Sequence, residues 1–199
     1  MELFNQPKTK KGQETLDKIL IETERLFSEK GYYETSIKDI TEAADVGTGT
    51  FYIYFDSKLS LYKVVLEEYG KSIRNHLTQQ IKGASSRKEA ERRGIEAFVQ
   101  MVRKNPNMYT VIWQALYINE QIFIDYYENF SERYVKQIKA AQEEGEIIAD
   151  YDPEVLSYIL IGISNFIGLR YAIFNQEEDL DKIMDDIMGV LENGLFTKE

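Results

Sequence analysis

Apolar residues recur at helical spacing along nearly the whole chain, and no stretch alternates apolar and polar residues with the period of a strand. A chain so patterned buries its stripes by packing helix on helix. Leu16, Ile19, Leu20, Thr23, Leu26 and Phe27 line one face of a first helix expected over residues 15–30, with Gly31 as its stop. Ser36 and Asp39 form a capping-box pair that opens a short second helix carrying Ile37, Ile40, Ala43 and Ala44. After a break at Asp45-Val46-Gly47, a third short helix is expected over residues 48–55. Asp56 or Ser57 caps a fourth, whose stripe runs through Leu59, Tyr62, Val65, Leu66, Tyr69, Ile73 and Leu77. Residues 83–88 read as a loop, and further helices are expected over 89–103, 108–117, 121–143 and 180–195. Between the last two, Asp152-Pro153 supplies an N-cap and a first-turn proline for a helix reaching Phe174.

Composition removes several function classes. There is no Cys and a single His, His76, so disulfides, zinc fingers, cysteine nucleophiles and Ser-His-Asp triads lack material. No metal or cofactor is expected. Carboxylate pairs such as Glu143-Glu144 and Asp185-Asp186 are adjacent in sequence, so on a helix they point to different sides, and no enzyme is expected. The first residues carry no apolar core of a signal peptide, which makes the cytoplasm the expected location. Val155–Phe174 holds one charge, Arg170, and is long enough to reach across a bilayer. Ser157, Ser164 and Asn165 interrupt it and no basic flank adjoins it, so the expectation is a helix buried among others and no membrane partner.

The first 60 residues are the informative part. Two short helices joined by a tight glycine-containing turn are the helix-turn-helix pattern, whose second helix enters the major groove of DNA. Spacing alone leaves a plain helical bundle open. The wording of the segment is more specific: Phe27-x-x-x-Gly31-Tyr32, Thr35-Ser36-Ile37-x-Asp39-Ile40, Ala44-x-Val46, then Gly49-Thr50-Phe51-Tyr52-x-Tyr54-Phe55-x-Ser57-Lys58-x-x-Leu61. This run, within residues 14–66, closely resembles the DNA-binding signature of the tetracycline-repressor (TetR) family. The resemblance implies an all-α protein of about nine helices. A three-helix helix-turn-helix domain in residues 1–60 would precede a ligand-sensing and dimerisation bundle in 61–199. It also implies a ligand-responsive transcription regulator, a repressor that leaves double-stranded operator DNA when a small apolar or amphipathic effector binds.

Roles can be set beside the residues. Thr35 and Ser36 open the second helix, where free N–H groups favour a phosphate. The resemblance makes Thr50 and Tyr52 phosphate contacts and Gly47, Thr48, Gly49 and Ile53 the readers of base edges. Tyr54 is core or phosphate contact, and Lys11, Lys38 and Lys58 are charged phosphate contacts. Asp45, Thr48 and Ile53 depart from the commoner family pattern, which has Gly at the first position, Lys, Arg or Ser at the second and His at the third. Readout then leans on Thr48 and on Ile53 against a thymine methyl.

The net charge of −10 opposes a nucleic-acid partner, and even residues 1–60 hold 8 Lys and Arg against 11 Asp and Glu. The local exception is the cluster Lys8, Lys10 and Lys11. The charge keeps an alternative open, an acidic helical interaction module that does not bind DNA. In the body, Ile159, Ile163 and Ile167 on one helix and Ile183, Ile187 and Val190 on the last are expected to pair two copies as a four-helix bundle about a two-fold axis. The aromatic residues Tyr109, Trp113, Tyr117, Phe123 and Tyr127, with Asn165, Phe166 and Arg170, are the expected lining of an effector pocket.

Overall fold

Caps decide where the helices begin. In a computed structural model, which describes residues 4–174 and 179–194, the order is α1 (Lys10–Lys30), α2 (Ile37–Ala43), α3 (Thr48–Tyr54), α4 (Lys58–Ile81), α5 (Arg87–Lys104), α6 (Pro106–Ile118), α7 (Glu120–Glu143), α8 (Pro153–Gly168), a π-helical turn (Leu169–Phe174) and α9 (Leu180–Asn193). No strand occurs among the described residues. The capping box forms as expected: the Ser36 hydroxyl accepts from the Asp39 N–H, and the Asp39 carboxylate accepts from the Ser36 N–H at 2.8 Å. Asp152 accepts from the N–H groups of Glu154 and Val155 and starts α8 behind Pro153.

Several boundaries differ from those expected, α6 among them, which starts at Pro106 rather than at 108. α1 starts five residues early, at Lys10, because Thr9 caps it by accepting from the Gly12 N–H at 3.0 Å. Its polar first turn carries no apolar periodicity, so the apolar stripe begins later than the helix. α5 starts at Arg87, inside the expected loop, because Ser86 accepts from the Glu89 N–H. The last helix ends at Asn193, with Gly194 as its cap, and Leu195 lies outside the described residues.

The described chain forms two compact units. One comprises residues through Ser72 with Asn107–Glu128; the other comprises Ile73–Pro106 with the residues from Asn129 on. These cut the chain differently from the 1–60 and 61–199 division, because α6 belongs with the helix-turn-helix.

In the first unit, Leu16, Ile19, Phe27, Ile40, Phe51, Phe55 and Leu61 are buried and make the core of α1–α4. Each such side chain contributes about 1.5–3 kcal/mol through its burial. Tyr62 is fully buried, packs edge-on against Phe27, and donates to the Val111 carbonyl of α6 at 2.6 Å. From α6, the Gln114 carboxamide accepts from the Tyr32 N–H and donates to the Phe27 carbonyl, both at 2.9 Å. One side chain thereby closes the C-terminal end of α1.

In the second unit, α5 packs against α8, the π-helical turn and α9. Ile95, Ile183, Met184 and Ile187 form a buried cluster, with Ile163 and Ile167 packed on it. Gly168 permits the close approach of α8: a Cβ there would lie 3.1 Å from the Phe98 ring. Pro153–Phe174 is long and apolar enough by composition to cross a membrane, yet much of it is left uncovered by the chain. The expected all-round burial is therefore corrected. Val155, Tyr158, Ile159 and Phe166 face outward from this helix.

The turn between α2 and α3 generates two predictions. Asp45 there has φ +55, a left-handed conformation that strains an L residue and that glycine adopts freely. Asp45→Gly is expected to raise stability by up to about 1 kcal/mol, seen as a higher thermal midpoint. Ser36→Ala is expected to cost about 1 kcal/mol, the usual loss for an N-cap, in the same measurement. Hydrogen bonds from Ser36 hold the Asp39 carboxyl below its ordinary range. Its contribution is thus complete above the normal carboxylate range and lost as pH falls through the lowered value, and Ser36→Ala should flatten that acid limb.

Candidate functional site

The helix-turn-helix sorts its side chains by face. α3 turns Phe51 and Tyr54 inward and leaves Thr48, Gly49, Tyr52 and Ile53 exposed, the last two at 53% and 61%. Gly49 has open space where a Cβ would stand, and Gly47 meets only the Thr50 hydroxyl at ordinary contact distance. Thr50 is half-buried. An exposed, largely uncharged ridge of this kind is what a groove-reading helix presents, with the first turn closest to base edges. Ser36 and Lys38 are also exposed, and Lys38 pairs with Glu42 at 3.6 Å.

Some expected contacts are turned to internal use. The Thr35 side chain is fully buried, and its hydroxyl donates to the Gly31 carbonyl at 2.8 Å, so it faces away from any phosphate. The Tyr54 side chain is buried too, and its hydroxyl donates to the Gly12 carbonyl at 3.0 Å. Lys58 is half-buried: its ammonium donates to the Tyr32 and Thr35 carbonyls at 2.7 and 2.8 Å and sits 4.3 Å from the Tyr32 ring centre. Burial lowers its pKa, with Asp39 and Glu34 opposing that shift. The exposed candidates are therefore Lys11, Ser36, Lys38, Gly47, Thr48, Gly49, Tyr52 and Ile53.

A separate cavity of about 460 Å³ lies wholly within the second unit. Ile73, Leu77 and Ile81 from α4, Ile95 and Phe98 from α5, and Phe130 from α7 form apolar wall. Four cations line it, Arg74, Arg87, Arg133 and Lys136, against one carboxylate, Glu91. Glu91 is buried and already committed: it pairs with Arg87 and accepts from the Tyr134 hydroxyl. Burial, and then the nearness of Glu91, push the Tyr134 phenol well above its usual range. Arg133 and Lys136 are exposed and in no ion pair among the described residues.

This is not the pocket read from aromatic content. Of the eight residues named for it, only Asn165 lines the cavity, and its amide also donates to the Ile161 carbonyl at 2.8 Å. Tyr109, Trp113, Phe123 and Tyr127 pack in tilted and edge-on contacts in the first unit, with ring centres 6.0, 6.3 and 4.8 Å apart in turn. Tyr117 and Phe166 are exposed at 79% and 61%, and Arg170 is exposed beside the Tyr171 ring. Helix-spaced aromatics and a pocket wall look alike in sequence, and the basic set Arg74, Arg87, Arg133 and Lys136 that lines this cavity comes from three helices that no periodicity links.

The dimerisation candidates also divide. Ile183 and Ile187 are buried in the chain's own core, with Ile163 and Ile167 against them, whereas Ile159 and Val190 are both 48% exposed. Among the described residues no group of three His, Asp or Glu is placed to hold a metal.

Lys58→Met is expected to destabilise the fold by about 1.5–3 kcal/mol, because two carbonyls are left without a charged donor. Tyr52→Ala, on the exposed face, should stay within about 0.5 kcal/mol of the parent in the same melts.

Residues 19–65 match the model of the bacterial regulatory proteins of the tetR family. The chain is 40% identical over 90 residues to an uncharacterized HTH-type transcriptional regulator in the lacX 3' region of Lactococcus lactis subsp. lactis, a match covering 45% of this chain and 41% of that protein. It is 25% identical over 185 residues to the HTH-type transcriptional repressor DhaR of Mycobacterium sp. (strain GP1), covering 84% and 87%. Its fold is similar to that of the transcriptional regulator FadR from Bacillus subtilis in complex with stearoyl-CoA, with a TM-score of 0.74 and 17% identity over 91% of this chain and 100% of that one. Residues 19–65 thus carry the signature of the tetR-family regulatory proteins, and the fold around them is similar to that of known TetR-family regulators.

Proposed function

We propose that the chain is a homodimeric, ligand-responsive transcription repressor that leaves a pseudo-palindromic operator when an amphipathic effector occupies the cavity of its second unit. The observation that carries the DNA half is the sorting of α3, with Phe51 buried and Thr48, Gly49, Tyr52 and Ile53 outward on a short helix held by its neighbours. Half-sites one helical turn apart suit a two-fold dimer. The uncovered apolar face of Val155, Tyr158, Ile159 and Phe166, with Val190, supports pairing of two copies, since such a face marks an interaction surface. A DNA-binding role also supports the cytoplasm as the location.

The effector reading rests on the cavity's composition. An apolar wall with an excess of cations suits a molecule with an oily body and an anionic head, the head lying near Arg133 and Lys136. Stearoyl-CoA, present in the FadR structure from Bacillus subtilis, is a molecule of that chemistry. α4 is one continuous helix that carries Lys58 at its start and cavity-lining Ile73, Leu77 and Ile81 further along. A ligand that prefers one placement of α4 shifts the population toward it, and so changes the spacing of two recognition helices. Such a ligand must favour the conformation that does not bind DNA.

Fluorescence anisotropy on duplexes from the gene's own upstream region tests the DNA half. Salt-sensitive binding that prefers one duplex over a scrambled one, and that Tyr52→Ala weakens at least about tenfold, is the expected outcome. Equal or absent binding to every duplex would favour the acidic interaction module. For the effector half, Arg133→Gln with Lys136→Gln is expected to weaken stearoyl-CoA binding about tenfold or more and to leave a neutral alkyl glucoside unaffected. Equal weakening for both probes would contradict the anionic-head reading.

A further inference from the structure

The segment ahead of α1 is tied down. The Phe4 ring stacks on Phe55 with centres 5.9 Å apart and planes 27° apart. The Asn5 backbone N–H donates to the Tyr54 carbonyl at 3.0 Å, and its side-chain amide donates to the Ile53 carbonyl at 2.8 Å. These are last-turn carbonyls of α3, which a helix leaves without internal partners. Asn5 therefore closes the end of the short helix that presents Tyr52 and Ile53. A little further along, the Tyr54 hydroxyl donates to the Gly12 carbonyl at 3.0 Å.

Between these two anchors run Lys8, Lys10 and Lys11, all exposed and in no ion pair among the described residues. They are the densest basic stretch of the first 60 residues, in a chain of net charge −10. A loose tail with the same lysines would give up conformational freedom on binding; a segment already fixed at both ends gives up less. The juxtaposition is specific: Asn5 bonds the carbonyl of Ile53, whose side chain is on the exposed ridge.

We propose that residues 4–11 form a second DNA-contacting element, a basic arm that neutralises backbone phosphates beside the bases faced by α3 and is positioned by Phe4 and Asn5. This rests on the DNA-binding reading above. The contacts are electrostatic and carry no base information, so they add affinity and salt sensitivity and leave sequence preference to Thr48 and Ile53.

The test compares the full chain with a Lys8→Gln, Lys10→Gln, Lys11→Gln variant and with Asn5→Ala, by anisotropy over a salt series on one preferred duplex and its scrambled partner. The lysine variant is expected to bind both duplexes about tenfold or more weaker at about 100 mM salt, with a log–log slope shallower by about 0.9 for each phosphate no longer neutralised. Asn5→Ala should move the slope in the same direction by less. Removing cations from the first turn of α1 relieves their conflict with the helix dipole, so the lysine variant is expected to melt no lower than the parent. A lysine variant with parental affinity and slope would overturn the arm while leaving the regulator reading intact. If the parent itself shows no salt-sensitive binding to any duplex, the reading beneath falls and the arm with it.

Discussion

The Lys58 ammonium makes the contact on which the helix-turn-helix depends. It lies over the Tyr32 ring and gives hydrogen bonds to the carbonyls of Tyr32 and Thr35, in the segment between α1 and α2. Those carbonyls are otherwise left where no helix ladder reaches them, and an unsatisfied buried carbonyl costs about 1–3 kcal/mol. Because Lys58 is the first residue of α4, one cation fixes the start of that helix against the end of α1 and the start of α2. Gln114 completes the arrangement from α6 by bonding Phe27 and Tyr32. With the inner side closed, the outer side of α3 is left to present Tyr52 and Ile53. A charge that looks in sequence like a phosphate contact is thus committed to holding a loop.

The acidic total and the DNA-binding reading are reconciled by range. At physiological salt the field of a surface charge fades over about 8 Å, so distant carboxylates weigh little against contact geometry. What matters is which cations stand free near the two regions of interest. Near α3 these are Lys8, Lys10 and Lys11; at the cavity they are Arg133 and Lys136. Several other cations are paired along their own helices, such as Arg25 with Glu22 and Glu29 and Arg93 with Glu89. Exposed pairs of that kind add about 0–1 kcal/mol each and leave little field.

Local signals in the sequence carried the helical class, the Ser36–Asp39 and Asp152 caps and the break at Asp45. Each is a short-range rule, in which a side chain meets a backbone group within a few residues. What escaped depends on partners far apart in the chain. Lys58 with Tyr32, Gln114 with Phe27, and Asn5 with Ile53 are separated by 26, 87 and 48 residues. The cavity escaped for the same reason, since its cations come from three helices and no periodicity marks them. Ile183 and Ile187 show the limit of reading one helix face: an apolar stripe looks the same whether its own chain or a second copy covers it, and here Ile95, with Ile163 and Ile167, covers it.

In the proposed regulator, occupancy of the cavity and occupancy of DNA oppose one another. Linkage makes that coupling reciprocal: if ligand weakens operator binding by some factor, operator weakens ligand binding by the same factor. The direct measurement is calorimetric titration of the full chain with stearoyl-CoA, with and without a saturating preferred duplex, beside the duplex titration with and without stearoyl-CoA. One shared factor of about 5–150 is predicted in both directions. Tight binding of both partners with affinities that ignore each other would contradict it.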